Sequence, residues 1–218
     1  MRLRTRFLGE FIGSAFLLMI VVGSGIMGER LSQGNAAIAL LVNSIATGAG
    51  LFAIIQSIGP LSGAHFNPAV SLAERLWGRM DSKTLAIYWS AQVLGALLGV
   101  LLAHAMFDLS LFQISTKVRT GMNLGISELV ATFGLIATIA LAGRRSSEFL
   151  PLSIAAYITS AYWFTSSTAF ANPAVTIARA FTETFCGIAP ESSPQFLGAQ
   201  LLGSLLAIGA LYPIRAKG

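Results

Sequence analysis

The sequence is poor in charge and nearly free of cysteine. Only 11% of its 218 residues are charged, whereas an ordinary soluble domain has about 25%. Because Cys186 is the single cysteine, no disulfide can form within the chain. The chain also lacks a phosphate loop, a Cys/His metal cluster and a convincing nucleophile beside a base. We therefore expect no enzyme activity, no metal site and no cofactor.

Hydrophobic residues make up 55% of the chain and are gathered into long runs. A helix that spans a bilayer needs ~20 mostly apolar residues. Six stretches are of this kind, at roughly 6–28, 36–57, 84–106, 124–143, 149–168 and 195–213. Because these stretches use most of the chain, we predict an all-α, multi-pass membrane protein with a single domain, residues 1–218. Glu10 interrupts the first stretch, which favours a retained span over a cleaved signal peptide.

The net charge of +5 is explained by where the basic residues lie. They are concentrated before the first stretch, in the second and fourth connections and after the last stretch: Arg2, Arg4, Arg6, Arg75, Arg79, Lys83, Arg144, Arg145, Arg215 and Lys217. The first and third connections have only Arg30, Lys117 and Arg119. The positive-inside rule then predicts that both termini lie in the cytoplasm. The protein is expected in the cytoplasmic membrane, surrounded by lipid, and its charge requires no nucleic-acid partner.

An internal repeat relates the two halves of the chain. Three pairs of segments match in the same order: GEFIGSAFL at 9–17 with SELVATFGL at 127–135, NPAVSLAER at 67–75 with NPAVTIARA at 172–180, and SAQVLGALLG at 90–99 with GAQLLGSLLA at 198–207. The halves, approximately 1–110 and 120–218, each contain three spans. Since three is odd, the halves enter the membrane from opposite sides. An inverted repeat of this kind places a functional site near the bilayer midplane, between the halves.

Each half contains the polar turn Asn-Pro-Ala, which is suited to begin a short helix. The residues are Asn67, Pro68, Ala69, Asn172, Pro173 and Ala174. Asparagine is a good N-cap, and proline fits the first helical position. About ten residues follow, which give ~15 Å, half of the ~30 Å hydrocarbon core. We predict two half-helices that meet N-terminus to N-terminus at the midplane.

The asparagine side chains are expected to face a water-filled pore. Each side-chain oxygen can cap its own half-helix, which leaves both amide hydrogens for the pore. The positive ends of the two helix dipoles add to this potential. A water molecule held there would turn its oxygen toward the asparagines. This arrangement would oppose cations and interrupt a proton wire.

The paired NPA turns, the Glu10/Glu128 pair and YWSAQVLGALLG at 88–99 resemble the aquaporin, or major intrinsic protein, family over essentially the whole chain. The resemblance implies six transmembrane helices plus two re-entrant half-helices, usually in a homotetramer with one pore per subunit. It implies a passive channel for water and small neutral solutes. It also implies site residues: His65, Ala64 and Phe170 line the pore, and Glu10, Glu128, Gln92 and Gln200 support the loops before the NPA turns.

The sequence departs from the family directly after the second NPA turn. Most members have an arginine there, as part of the outer selectivity filter, whereas this chain has Val175. Alignment on the NPA turns places the other three filter positions at Thr47, Ser160 and Ala169. All four residues are small and uncharged, so we expect a wide outer filter. Such a filter would pass glycerol-like polyols and neutral metalloid acids such as arsenous acid, with some leak of ions or protons.

Several alternatives stay open at this point. Arg179 lies one helical turn after Val175, where it could bring positive charge to the outer vestibule, or bind a loop carbonyl or Glu183. The chain could also be a narrow-specificity water channel. Inverted repeats with broken helices build secondary transporters as well. A non-conducting structural membrane protein is the remaining possibility.

Overall fold

The computed structural model describes residues 2–145 and 148–215, and this part of the chain is helical, with no strand. The helices are α1 (Leu3–Leu31), α2 (Ala36–Ser62), α3 (Pro68–Leu76), α4 (Ser82–Met106), α5 (Met122–Arg145), α6 (Leu150–Phe164), α7 (Pro173–Arg179) and α8 (Ser193–Arg215). A 3-10 turn, Pro190–Ser192, leads into α8. Lys217 and the side chains of Arg145 and Arg215, which served to predict the topology, lie outside the described part.

Five helices of the described part are long and apolar enough to cross a membrane: α1, α2, α4, α5 and α8. The helix in the predicted stretch 149–168 is shorter than the sequence indicated. It is α6, with 15 residues, which gives about 22 Å at ~1.5 Å per residue. The helix ends at Phe164 because the following residues form the loop that leads to α7. In that loop Thr168, Ala169 and Ala171 have left-handed φ angles of 64°, 47° and 47°.

Side-chain caps explain where several helices begin. The Asn35 side chain accepts hydrogen bonds from the first turn of α2, and the Asp81 side chain accepts one from Thr84 N–H at the start of α4. These bonds satisfy amide groups that have no partner within the helix. Helix α2 ends at Ser62 and is capped by Gly63, whose φ of 88° is easily adopted only by glycine. The chain then enters the loop before α3.

Small residues allow the long helices to pack closely. Helix α1 packs against α2 and α4, and α5 packs against α6 and α8. A Cβ atom built on Gly95 of α4 would lie 2.2 Å from the Phe11 carbonyl oxygen of α1. In the other half, a Cβ atom on Gly203 of α8 would lie 2.4 Å from the Leu129 carbonyl oxygen of α5. Glycine is therefore required at both crossings.

The same order of elements occurs twice along the chain. Two long helices, a loop, a short helix and a further long helix make up α1 to α4, and α5 to α8 repeat this order with a shorter second helix. Helix α2 contacts α6, which joins the two sets, and the short helices α3 and α7 contact each other. The site lies at this contact.

Candidate functional site

The two NPA turns meet and hold each other. Each asparagine side-chain oxygen caps its own short helix: Asn67 accepts from Ala69 N–H at 2.9 Å, and Asn172 accepts from Ala174 N–H at 3.0 Å. The side-chain nitrogens reach across the junction. Asn67 Nδ2 donates to the Ala171 carbonyl and Asn172 Nδ2 donates to the Phe66 carbonyl, both at 2.8 Å.

These crossed bonds correct one expectation from the sequence. An asparagine side chain has two amide hydrogens, and both were expected to face the pore. In the structure one hydrogen of each asparagine donates to the carbonyl of the opposite loop. One hydrogen per asparagine is therefore left for a solute, and the other fixes the two loops against each other.

The loops before the two asparagines have an unusual backbone. Ala64 and Phe66 have φ angles of 51° and 49°, and Ala169 and Ala171 both have 47°. Residues other than glycine rarely adopt such angles, and each costs of order 1–3 kcal/mol. The positions match in the two loops, three residues and one residue before the asparagine. Such a backbone persists only if the surrounding structure holds it.

The buried carboxylate of Glu10 holds the first loop. Its Oε1 accepts from Ser62 Oγ at 2.7 Å and from His65 N–H at 3.0 Å. Its Oε2 accepts from Phe66 N–H at 2.8 Å and from Gln92 Nε2 at 2.7 Å. Glu10 is fully buried, so these charge-assisted bonds replace its contact with water.

Glu128 holds the second loop in the same way. It accepts from Phe170 N–H and Ala171 N–H, both at 2.9 Å, and from Gln200 Nε2 at 2.6 Å. Gln200 also donates to Thr176 Oγ1 of α7 at 2.8 Å. The structure thus brings each carboxylate, its glutamine and its loop together, although they lie in distant parts of the sequence.

A conduit runs past both asparagines. Its volume is about 280 Å³, and both asparagine side chains line it. One wall is apolar and includes Leu17, Val21, Leu51, Ile139, Ile154 and Ile158. The other wall is formed by the two loops and the short helices, with polar residues at intervals. His65, Ala64 and Phe170, which were predicted to line a pore, all face this conduit.

The conduit has two ends, which we call the Glu74 end and the Arg179 end after a charged residue in the last turn of α3 or α7 that lines it. Helix α4 shows that they are far apart. Tyr88, near the start of α4, donates to the Ser62 carbonyl beside the first loop. His104 Nε2, near the end of α4, lies 2.7 Å from Thr182 Oγ1, which follows α7. Sixteen helical residues separate them, about 24 Å.

The Arg179 end differs from the sequence-based prediction. Thr47, Ala169 and Val175 line the conduit as expected, but Ser160 does not. Ser160 is exposed on the outer face of α6, and its hydroxyl donates to the Tyr157 carbonyl at 2.7 Å. Tyr162 lines the conduit instead, with its hydroxyl 3.2 Å from Thr47 Oγ1. Ser160 and Tyr162 lie about 200° apart around the axis of α6. The alignment that placed Ser160 in the conduit was therefore wrong.

The Arg179 end carries a positive charge, although the sequence led us to expect an uncharged one. Arg179 is 3% exposed and lines the conduit. Its Nε donates to the Cys186 carbonyl, and its guanidinium carbon lies 3.4 Å from the centre of the Phe170 ring. Of the alternatives left open for Arg179, binding to a loop carbonyl is the one observed. The wall at this end therefore contains an aromatic ring and a cation, and not only the small, neutral residues that were expected.

Two more basic residues hold the segment that follows α7. Lys117 Nζ donates to the Thr184 and Phe185 carbonyls, and Arg119 Nε donates to the Gly187 carbonyl at 2.8 Å. Burial lowers the pKa of Lys117, and burial together with the charge of Arg179 lowers the pKa of Arg119 to about 10. Both side chains are thus bound to backbone carbonyls near Arg179, the third cation at this end of the conduit.

Glu183 does not bind Arg179. Its carboxylate accepts hydrogen bonds from the backbone N–H and hydroxyl of Thr116. These bonds hold the pKa of Glu183 below its ordinary value of 4.5. In the described residues no group of three or more His, Cys, Asp or Glu side chains is placed to hold a metal ion. The chemistry available at this site is hydrogen bonding and charge along a conduit.

Two short helices that meet head to head beside a conduit, inside a bundle of membrane-spanning helices, define a membrane channel. The family model described as "Major intrinsic protein" matches residues 1–166. The chain is 51% identical to the aquaglyceroporin AqpS of Rhizobium meliloti (strain 1021) over 209 residues, which cover 96% of this chain and 89% of that protein. The chain belongs to the major intrinsic protein family, whose members are channels for water and small solutes.

More distant relatives agree with this assignment. The chain is 33% identical to aquaporin TIP1-2 of Zea mays over 135 residues, which cover 60% of this chain and 53% of that one. The solved structure of the aquaglyceroporin from Plasmodium falciparum superposes with a TM-score of 0.75 over 100% of both chains, at 19% identity. The family resemblance and the aquaporin fold predicted from the sequence are confirmed.

Proposed function

We propose that this protein is a passive channel of the cytoplasmic membrane for water and small neutral solutes, including glycerol-like polyols and undissociated arsenous acid. The observation that supports this proposal best is the conduit with one polar and one apolar wall. A polyol carries hydroxyl groups along a carbon backbone. It can therefore contact the apolar wall with its C–H groups while its hydroxyl groups bind the polar wall.

The asparagine pair indicates which species should pass through the conduit. The remaining amide hydrogens of Asn67 and Asn172 point donors at the conduit, so a passing hydroxyl or water offers its oxygen. A water molecule oriented in this way cannot pass a proton along a chain of waters. Water and polyols are expected to pass, and protons are not. Orientation follows from the basic residues: the Glu74 end faces the cytoplasm, together with both termini.

The relative named as an aquaglyceroporin supports polyol passage. The small side chain of Val175 supports the passage of larger solutes as well. An arginine at that position would extend into the conduit beside Asn172 and narrow it. Arsenous acid is neutral at pH 7 and similar in shape to a small polyol.

Like other members of the family, the protein is expected to assemble as a homotetramer. Crosslinking of the protein in native membranes, followed by denaturing electrophoresis, tests this expectation.

A narrow-specificity water channel is the second candidate, and one observation favours it. Tyr162 and Arg179 both occupy the Arg179 end of the conduit, so this end is narrower than four small residues would make it. Water flux with no glycerol or arsenous acid flux would identify this alternative.

Stopped-flow light scattering on proteoliposomes, with water, glycerol and urea gradients, tests the proposal together with an arsenite uptake assay. We expect faster water and glycerol flux than in protein-free liposomes. Val175→Arg should reduce glycerol and arsenite flux more than water flux, because a guanidinium would narrow the conduit. Val175→Leu, which adds volume without charge, is the control. Equal glycerol flux in wild type and Val175→Arg would contradict the placement of residue 175.

A further inference from the structure

Arg179 is a charged side chain buried in the wall of the conduit. It is the last residue of α7 and is 3% exposed. Val175, one helical turn earlier, lines the same wall. The Cα atom of Arg179 thus lies about 6 Å farther along the helix axis from Asn172 than the Cα atom of residue 175.

The protein leaves most of this guanidinium group available. An arginine side chain has five N–H donors. In the described part of the chain, Nε donates to the Cys186 carbonyl, and the two Nη atoms donate to no protein acceptor. The ring of Phe170 covers one face of the group, with its centre 3.4 Å from the guanidinium carbon. Glu183 binds Thr116, so it does not neutralise the charge.

The support of Arg179 reaches to the third connection. The Cys186 carbonyl belongs to the segment whose neighbouring carbonyls accept from Lys117 and Arg119. Arg119 also lies over the Phe170 ring, 5.5 Å from its centre. Phe170 is held in turn by Phe196, with ring centres 4.9 Å apart. The guanidinium plane is therefore fixed by a carbonyl at one edge and a ring on one face.

We infer that Arg179 is the specificity-determining cation of this channel, although its residue lies one helical turn farther along α7 than the family's usual arginine. Its charge repels cations that enter the Arg179 end, and its free Nη hydrogens bind the hydroxyl oxygens of neutral solutes. This inference rests on the proposed function. It replaces the leak of ions that the neutral residue at position 175 led us to expect.

The chain offers a matched control. Arg30 also donates to a backbone carbonyl, that of Phe107 at 3.1 Å, and also lies over a phenylalanine ring, 5.2 Å from the centre of Phe107. Arg30 is exposed and does not line the conduit. Arg30→Gln therefore removes the same kind of contact without touching the conduit, whereas Arg179→Gln removes a charge that faces it.

The experiment measures proton and potassium flux into proteoliposomes that contain a pH-sensitive or potassium-sensitive dye. In parallel, stopped-flow light scattering measures water and glycerol flux. We expect Arg179→Gln to raise cation flux at least about tenfold, because removal of one like charge from a confined cleft changes local ion concentration by that order. Arg179→Lys and Arg30→Gln should stay near the wild-type cation flux.

Arg179→His provides a test within one folded sample. Its cation flux should be lower at about pH 5 than at about pH 8, because the imidazole is cationic only below its pKa, which burial and the neighbouring Arg119 lower from the unperturbed value of ~6.5. Each value is compared with wild type at the same pH, because His65 also faces the conduit. This comparison is unaffected if the glutamine variant folds poorly.

The outcomes separate the two proposals. Unchanged cation flux in Arg179→Gln and a flat pH response in Arg179→His, in channels that conduct water, would overturn the role of Arg179 and leave the proposed function intact. Increased cation flux in these variants, with no water or glycerol flux in wild type, would support the charge barrier and overturn the proposed function.

Discussion

Asn67 and Asn172 each fix the loop that leads to the other. Each side chain caps its own short helix through its oxygen and donates through its nitrogen to the carbonyl before the opposite asparagine, at 2.8 Å. The junction is therefore a closed set of hydrogen bonds between the two halves. A change at either asparagine acts on both loops.

Asn172→Asp should disrupt this junction. Aspartate can still cap α7, but it has no N–H group to donate to the Phe66 carbonyl, and it adds a negative charge. We expect a loss of about 1–3 kcal/mol of stability, from the unpaired buried carbonyl, and a higher cation flux. Thermal unfolding in detergent and dye-based flux assays measure the two effects. Asn35→Asp, at the exposed cap of α2, is the control and should change neither.

Glu10→Gln and Glu128→Gln should both destabilise the protein. A glutamine has one acceptor oxygen, and its amide group would face N–H donors of the loop. We expect a loss of about 2–4 kcal/mol for each, since several charge-assisted bonds are replaced. Glu10 accepts from Ser62, His65, Phe66 and Gln92, one donor more than Glu128 has. Its variant should therefore melt at the lower temperature, and an equal or reversed order would contradict this explanation.

Exposed Glu29→Gln serves as the control for the two glutamate variants. Glu29 lies on α1, as Glu10 does, but it is exposed to solvent. Its replacement should leave the melting temperature near that of wild type. If it lowers the temperature as much as Glu10→Gln, loss of a negative charge on α1, rather than loss of loop support, is the cause.

Gly95→Ala should separate α1 from α4. The added Cβ would lie 2.2 Å from the Phe11 carbonyl oxygen, so one backbone must shift. We expect destabilisation of about 1–3 kcal/mol, the usual cost of overpacking. Gly198→Ala is the matched control, because a Cβ atom there meets nothing within 4 Å. That variant should be neutral or more stable by up to about 1 kcal/mol. Melting temperatures in detergent compare the two.

Tyr162→Ala tests which face of α6 lines the conduit. Removal of the ring should widen the Arg179 end and raise glycerol flux several-fold, with a smaller effect on water. Ser160→Ala, two residues away, should leave both fluxes unchanged because that side chain is exposed. Stopped-flow light scattering measures both variants. A larger effect for Ser160→Ala would restore the original alignment of α6.

Some parts of the site could be predicted from the sequence because their chemistry is local. The Asn-Pro pair carries a cap and a first helical residue within two positions, so the start of each short helix was evident. The pairing of each loop with a glutamate came from resemblance, and the hydrogen bonds of Glu10 and Glu128 are now observed. The crossed bonds of the asparagines were not foreseen, because they join residues about a hundred positions apart.

Other parts could not be predicted. The face of α6 that lines the conduit was misjudged because Leu150–Phe164 is apolar on nearly every side. In a soluble helix, polar residues mark the face that meets water. A membrane helix lacks this mark, because lipid and protein interior are similarly apolar. The spacing of Ile154, Ile158 and Tyr162 at intervals of four residues is the one signal of the lining face, and it is weak.

The sequence by itself determined the membrane class, the long apolar helices, the two half-helices and the family, because hydrophobic length and helix caps are properties of short segments. Only the tertiary structure decided that Tyr162 rather than Ser160 lines the conduit, that the asparagines bind across the junction and that Arg179 brings its charge to the wall. These outcomes depend on how helices rotate and pack against partners distant in the chain, and a uniformly apolar pattern does not encode that rotation.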